Sequence, residues 1–464
     1  MRLHDQKFTQ QPRTRQLKVV NERLRNVEAL GCLSSTTLDD DDILKQPVAH
    51  EVLMIIELFF EQYGHFYPCV RKMSFINSIV QPASRRADQT TPLRACIHAM
   101  MSIAFRMAQF SASNDRSFDV NQRAEEHLVA ALREGSVIGS SEPALLGAQA
   151  LFFTAVSMTL SSVYTSKQAC VVLASAVRIA QLVEGDRVLQ ARVLLSLYIL
   201  DAELSLENNI HPLLQDDAGM MAYLDELEDE RGRIKSLDGS VTIEHFAGRI
   251  KLARLQNQIL MDMRAGQAQT SSRDKTIVTF DEMRVMLKVW NETYLPGSHL
   301  LQAEKWPATV YVHNVRLVVA HFLTIKTLYS GTISNASDLD TALDILSGTE
   351  AEQVQAFRTS LSVPPDLVDA ARMAFTAVRS IGKAGLSWLM ESLPTLLSAT
   401  IVMYQAVVVE HDVKLARNEL ARADSWFYVL ERLAGETTGD GLQSSIEVVG
   451  RLRRLAEYAA KSMV

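Results

Sequence analysis

The chain has 464 residues, 47% hydrophobic and 22% charged, a balance that excludes a disordered chain and supplies enough apolar surface for a large core. A formal net charge of -7 excludes a molecule held to nucleic-acid phosphates by an overall positive field. The four cysteines, Cys32, Cys69, Cys96 and Cys170, lack metal-ligand and redox-motif spacing, which excludes a disulfide scaffold and fits a reducing compartment.

The chain opens polar and basic, with no apolar stretch followed by a small-residue cleavage site, so secretion is not expected. Its basic patch, Arg2, Lys7, Arg13, Arg15, Lys18, Arg23 and Arg25, is too short to form a DNA-reading fold. Within it, Leu17, Val20, Leu24 and Val27 follow the three-four spacing of a coiled-coil seam, and Gly31 stands where such a helix would end. So short a helix is marginal alone, and the expectation is a dimerisation element that zips to a second copy or docks on the body. An acidic, Ser/Thr-rich joint from Ser34 to Asp42 follows. The division expected is therefore a basic N-terminal segment, 1–45, and one all-helical body, 46–464.

From Val48 onward, apolar residues recur at helical spacing, punctuated by Pro, Gly and polar clusters. The fold class predicted is all-α, a large multi-helix bundle of antiparallel helical hairpins. Helices are expected near 48–64, 92–110, 119–134, 143–163, 166–184, 187–208, 243–264, 279–293, 307–329, 365–384, 392–411, 413–434 and 443–462. Residues 223–241, a charge run, and 330–363, rich in Ser, Thr, Gly and Asp, read as surface excursions. Pro143 to Tyr164 carries no charge, but Gln149, Ser157, Thr159, Ser161 and Ser162 dilute it, and a buried core helix is predicted rather than a membrane span. Met100, Met101, Met107, Met261, Met263, Met283 and Met286 supply adaptable core filling, and a cavity among them would suit a small hydrophobic ligand. His313 and His321, two turns apart on an apolar helix, read as core or surface histidines.

Three segments, in order, carry a family resemblance. Val20 to Leu30 is similar to the short dimerisation helix that follows the linker of fungal zinc-cluster transcription factors. Phe59-Phe60-Glu61-Gln62-Tyr63-Gly64-His65-Phe66-Tyr67-Pro68, with Phe75-Ile76 after it, resembles the opening of that family's middle homology region. There an apolar helix runs into an aromatic turn that Pro stops. Leu145 to Leu160, Ala169 to Leu182 and Arg192 to Asp217 look like the family's central run, including Leu173-Ala174-Ser175-Ala176-Val177-Arg178-Ile179-Ala180 and Leu195-Ser196-Leu197-Tyr198-Ile199-Leu200-Asp201. Where the family has a Gly-Arg-Pro turn, this chain has Asn208-Asn209-Ile210-His211-Pro212, followed by the family-like pair Asp216-Asp217.

The resemblance implies a nuclear transcriptional regulator. The zinc-holding cysteine cluster of the family is absent from these residues, so the expectation is no direct sequence-specific DNA binding by this chain, no cofactor and no membrane. Action would go through protein partners, a homodimer or a small hydrophobic ligand. A cluster encoded upstream of Met1 is a further reading.

Enzyme motifs are sparse: neither a dinucleotide nor a Walker-type glycine loop occurs, nor Gly-x-Ser-x-Gly, nor His-Glu-x-x-His. An enzymatic alternative rests on carboxylates. Asp225 and Asp229, within Asp225-Glu226-Leu227-Glu228-Asp229, would share a helix face, resembling the aspartate-rich motif of class I terpene cyclases; Asp216 and Asp217 lie nearby in sequence. Asp201, Ser205 and Asn209 weakly resemble the second metal motif of those enzymes, with Asn209 where a Glu is expected. That reading implies Mg²⁺, a prenyl diphosphate and a cytoplasmic lyase.

Overall fold

The computed structural model describes residues 50–64, 66–80, 90–109, 117–138, 144–161, 163–183, 185–214, 233–267, 280–295, 302–306, 308–330, 349–360, 363–379, 392–435 and 440–462. Seven helices come first: α1 (His50–Gln62), α2 (Lys72–Val80), α3 (Thr90–Gln109), α4 (Ser117–Ile138), α5 (Leu145–Thr159), α6 (Ser166–Leu182) and α7 (Arg187–Asn208). A two-stranded ribbon, β1 (Arg233–Lys235) and β2 (Thr242–Glu244), then leads into α8 (His245–Gln267) and α9 (Phe280–Tyr294). The remainder is α10 (Ala308–Ser330), α11 (Glu350–Ser360), α12 (Pro365–Arg379), α13 (Leu393–Val409), α14 (Val413–Gly435) and α15 (Asp440–Ser462). The protein is thus all-α, as its periodicity predicts.

Helices pack on their neighbours in sequence, with α3 on α4 and α5, α5 on α6, α6 on α7 and α7 on α8; further on, α12 lies on α10 and α13, and α13 on α14 and α15. Burial divides into two apolar clusters, one built from α1 to α7 and the other from α9 to α15. Helix α8 belongs to both. Phe246, Ile250 and Ala253 recur on one face and enter the first cluster, while Leu252, Leu255 and Ile259 recur on the other and enter the second. Apolar residues on two faces are what a helix buried between layers requires.

The α5 segment shows how its polar residues are accommodated. Every residue from Gly147 to Met158 is buried. Gln149 donates to the Cys69 carbonyl at 2.6 Å, Ser157 to Ser102 at 2.7 Å, and Ser161, just beyond the helix, to Glu125 at 2.7 Å. Buried polar groups with partners cost little, and these fix how α5 sits against α3 and α4. Among the described residues, no helix is long and apolar enough to cross a membrane.

Three stretches depart from the sequence reading. Residues 350–360, placed in a surface excursion, form α11, whose Val354 and Phe357, three residues apart, are buried in the second cluster. Residues 72–80 form the unforeseen short helix α2, which buries Phe75 and Ile79. The end of the charge run, read as an irregular surface excursion, forms a strand: Arg233 pairs with Glu244, Ile234 with Ile243 and Lys235 with Thr242. Gly239 turns the ribbon with φ 69°, and Asp238 accepts hydrogen bonds from Ser236 and Ser240, which hold its carboxyl well below the usual range. Because β2 ends where α8 begins, the ribbon fixes the position of His245.

Gly248 lets α9 approach α8. A methyl group there would lie 2.8 Å from Cδ1 of Tyr294, and the Gly248 carbonyl accepts a 2.8 Å bond from the Trp290 indole. Gly248→Ala is expected to lower the urea midpoint by the equivalent of about 1–3 kcal/mol, despite the gain of about 1 kcal/mol in helix propensity. Trp fluorescence through a urea titration measures it, and a raised midpoint would contradict this packing.

Candidate functional site: a buried cationic and aromatic seam

The aromatic turn after α1 meets α7, α8 and α10 at the boundary of the two clusters. Phe66 and Tyr67 are buried, with ring centroids 4.8 Å apart in an edge-on arrangement, and Tyr67 in turn meets Phe152 of α5 at 4.9 Å. Two arginines close on Phe66. The guanidinium carbon of Arg249 lies 3.6 Å from its ring centroid and that of Arg316 lies 4.0 Å away. Arg316 also lies 5.0 Å from the Tyr63 ring, and Arg249 lies 4.8 Å from that of Tyr67. A desolvated cation over an aromatic face is stabilised by the ring quadrupole, by about 2 kcal/mol when buried.

Both arginines are reached by helical spacing. His245 and Arg249 are four residues apart on α8, while His313 and Arg316 are three apart on α10, so each pair projects from one helix face. His245 Nε2 lies 2.9 Å from the His313 carbonyl oxygen, and the His313 ring stacks on Phe66 at 5.2 Å and 18°. From α7, Glu203 pairs with Arg249. Arg249 also donates to the Tyr67 hydroxyl at 3.2 Å, and that hydroxyl donates to Glu203 at 3.4 Å.

Burial sets the protonation states. It pushes the Tyr67 phenol upward, against the Arg249 and Arg316 charges, and lowers His245 to about 3, where the same two charges add to the effect. For Arg249 burial works against the charge, and the Glu203 carboxylate together with the Tyr67 phenol more than restores it. The seam therefore holds neutral imidazole beside guanidinium.

The residues singled out from sequence fall in different places. Tyr63, Phe66 and Tyr67 of the aromatic turn form the seam; Glu203, His245, Arg249 and Arg316 were not foreseen as site residues. Glu203 and Arg316 stand as charges within largely apolar helices, which was their signal, whereas α8 is rich in polar residues and gave none for His245 or Arg249. Asp201 is buried in α7, where its carboxylate accepts a 2.8 Å bond from the Leu214 amide and so anchors residues 210–214. Burial raises its pKa to about 6, with the Leu214 and Leu213 amides opposing. Asn209 is exposed and ends α7 in the left-handed conformation, φ 50°. Asp216, Asp217, Asp225 and Asp229 lie outside the described residues, as do Leu17, Val20, Leu24 and Val27. No three His, Cys, Asp or Glu side chains are grouped to hold a metal ion among the described residues.

Fold and site together define a class: an all-helical protein whose two apolar clusters meet across a buried cationic and aromatic seam. Over most of its length the chain is similar to fungal transcription factors. It is 20% identical to an ABC-transporter-regulating transcription factor of Aspergillus fumigatus, over 89% of this chain and 47% of that protein. It is likewise 20% identical to a protein of the same description from Aspergillus oryzae, over 94% of this chain and 52% of that one. The chain thus spans about half the length of the curated relatives it matches. No family model matches it, and no solved structure does.

Proposed function

We propose that the chain is a transcriptional regulator of the fungal middle-homology-region type, acting in the nucleus through protein partners, a second copy or a small ligand. The observation that carries this reading is the extent of the similarity to two transcription factors, 89% and 94% of the chain. The similarity runs through both helical clusters rather than one local motif. The net charge of -7 supports recruitment to promoters through partners instead of direct capture by DNA phosphates. Being buried between the clusters, the seam is a place where an effector's binding energy would bias how they pack, as a ligand-responsive regulator requires.

Tethering the chain to a heterologous DNA-binding module upstream of a reporter, and deleting its gene in the source fungus, tests the proposal. The expected result is a severalfold change in reporter output and a defined set of altered transcripts. An unchanged reporter together with an unchanged transcript profile would overturn it.

A further inference from the structure

Helix α9 is apolar on two sides. Met283, Leu287, Trp290 and Tyr294 recur at three-four spacing and are buried in the second cluster. On the outward side Val285, Met286 and Val289 are 61%, 44% and 55% exposed. No other described helix exposes three large apolar side chains within five residues. Exposed apolar residues scattered singly are ordinary, whereas a contiguous group marks a surface that something covers. Glu282 and Glu292 stand at the two ends of this face, each three residues from one of its valines. Of the two cations on α9, Arg284 is taken up by Asp366 of α12 at 2.9 Å and by Asp281 at 3.6 Å.

The pattern states what would cover it. Positions 282, 285, 286, 289 and 292 follow the three-four spacing of a helix ridge, which a second helix packs against. The centre calls for an apolar stripe and the glutamate ends call for cations. A second copy of α9 meets neither demand: laid antiparallel it brings Glu282 opposite Glu292, and laid parallel it brings each glutamate opposite itself. Like charges in such a contact work against it.

Leu17, Val20, Leu24 and Val27, which lie outside the described residues, supply the stripe. Arg13, Arg15, Lys18, Arg23 and Arg25 accompany it, against Glu22 and Glu28. As a helix, Leu17 to Val27 would run about 15 Å, the same length as Glu282 to Glu292. The 22 residues between Val27 and His50 reach up to about 70 Å when extended, against a radius of gyration of about 22 Å for a body of this size. Residues 215–232 and 331–348 also place apolar residues at helical spacing, but both stretches are acidic and would bring like charge to Glu282 and Glu292.

We propose that the outward face of α9 is the dock for the chain's own Leu17–Val27 helix, its apolar stripe covering Val285, Met286 and Val289 and its cations facing Glu282 and Glu292. The inference goes beyond the regulatory reading and does not rest on it. A docked stripe is withheld from a second copy, so self-association through it requires release from α9.

The test uses purified full-length chain and trypsin, which cuts after the cations of the segment itself. Cleavage after Arg23 and Arg25 is expected to be at least ten-fold faster in Val289→Glu than in the wild type. It should be unchanged in Val171→Glu, which puts the same charge at an exposed position of α6. Equal rates in the wild type and Val289→Glu overturn the proposal, as does equal acceleration by Val171→Glu. Disulfide mapping then identifies the surface. Leu24→Cys is combined in turn with Val285→Cys, Met286→Cys and Val289→Cys, each in a chain carrying Cys32→Ser, and oxidation is expected to join position 24 to at least one of the three within a single chain. Bonds formed only between chains would mean that the face pairs two copies, and bonds at none of the three that another partner covers it; either result overturns the proposal.

Discussion

Lowering the pH from 7 to 5 is expected to destabilise the folded chain steeply, by up to about 3 kcal/mol per pH unit through the region below pH 6. Three buried histidines dominate. Burial lowers His127 and His245 to about 3 and His321 to about 4, whereas each imidazole in the unfolded chain protonates near its ordinary 6.5. Between those values the unfolded state holds more protons, so acidification pulls the equilibrium toward it. Their stabilisation is complete above pH 6.5 and is lost as the pH falls. Each contributes a slope of about 1.4 kcal/mol per pH unit.

Asp201 opposes them. Its folded-state pKa is raised to about 6 from an ordinary 3.8, so in that window the folded chain keeps a proton the unfolded chain has released, and acidification favours folding by one such slope. Asp262, whose carboxyl burial also raises, opposes them in the same sense, so the net uptake is at most two protons, which sets the upper limit of the slope stated above. Asp186, Asp238 and Glu352, whose pKa values are lowered by hydrogen bonds, add further acid sensitivity only below the ordinary carboxylate range. Urea midpoints at pH 7, 6 and 5 measure the slope, and a flat profile would show that the histidines are not buried as described.

Glu203→Ala is expected to cost about 3–5 kcal/mol, and Arg249→Met distinctly less. The asymmetry follows from exposure: the Arg249 side chain is 3% exposed and that of Glu203 is 28%. Removing the carboxylate strands a guanidinium in the interior with the Tyr67 hydroxyl and aromatic faces as its remaining described partners. Removing the guanidinium leaves a carboxylate that water can reach, and the Met side chain still packs on Phe66. A double-mutant cycle in urea gives both costs and their coupling. Equal losses in the two single variants would mean that the pair is solvated on both sides.

Much of the helical body was legible in the sequence because helical periodicity is local. Apolar residues at three-four spacing announced α5, α6, α7 and α10 at nearly their observed limits. Where the core is reached by few side chains the signal failed: α11 buries Val354 and Phe357 from an otherwise polar stretch, and β1 hides within charged residues. Composition alone marks both as surface.

The candidate site was half legible. Its aromatic plate, Tyr63, Phe66 and Tyr67, is contiguous in sequence and stood out as a motif. Its charged half comes from Glu203, Arg249 and Arg316, on three separate helices, and no periodicity links a cation on α8 to a ring 183 positions earlier. What the sequence determined by itself was the class of fold, the all-helical body and the aromatic turn, since each follows from interactions among near neighbours in the chain. Only the tertiary structure decided what that turn touches. Packing α8 between two apolar clusters withdrew its arginine and histidine from water, and that burial gives both residues their partners and their protonation states.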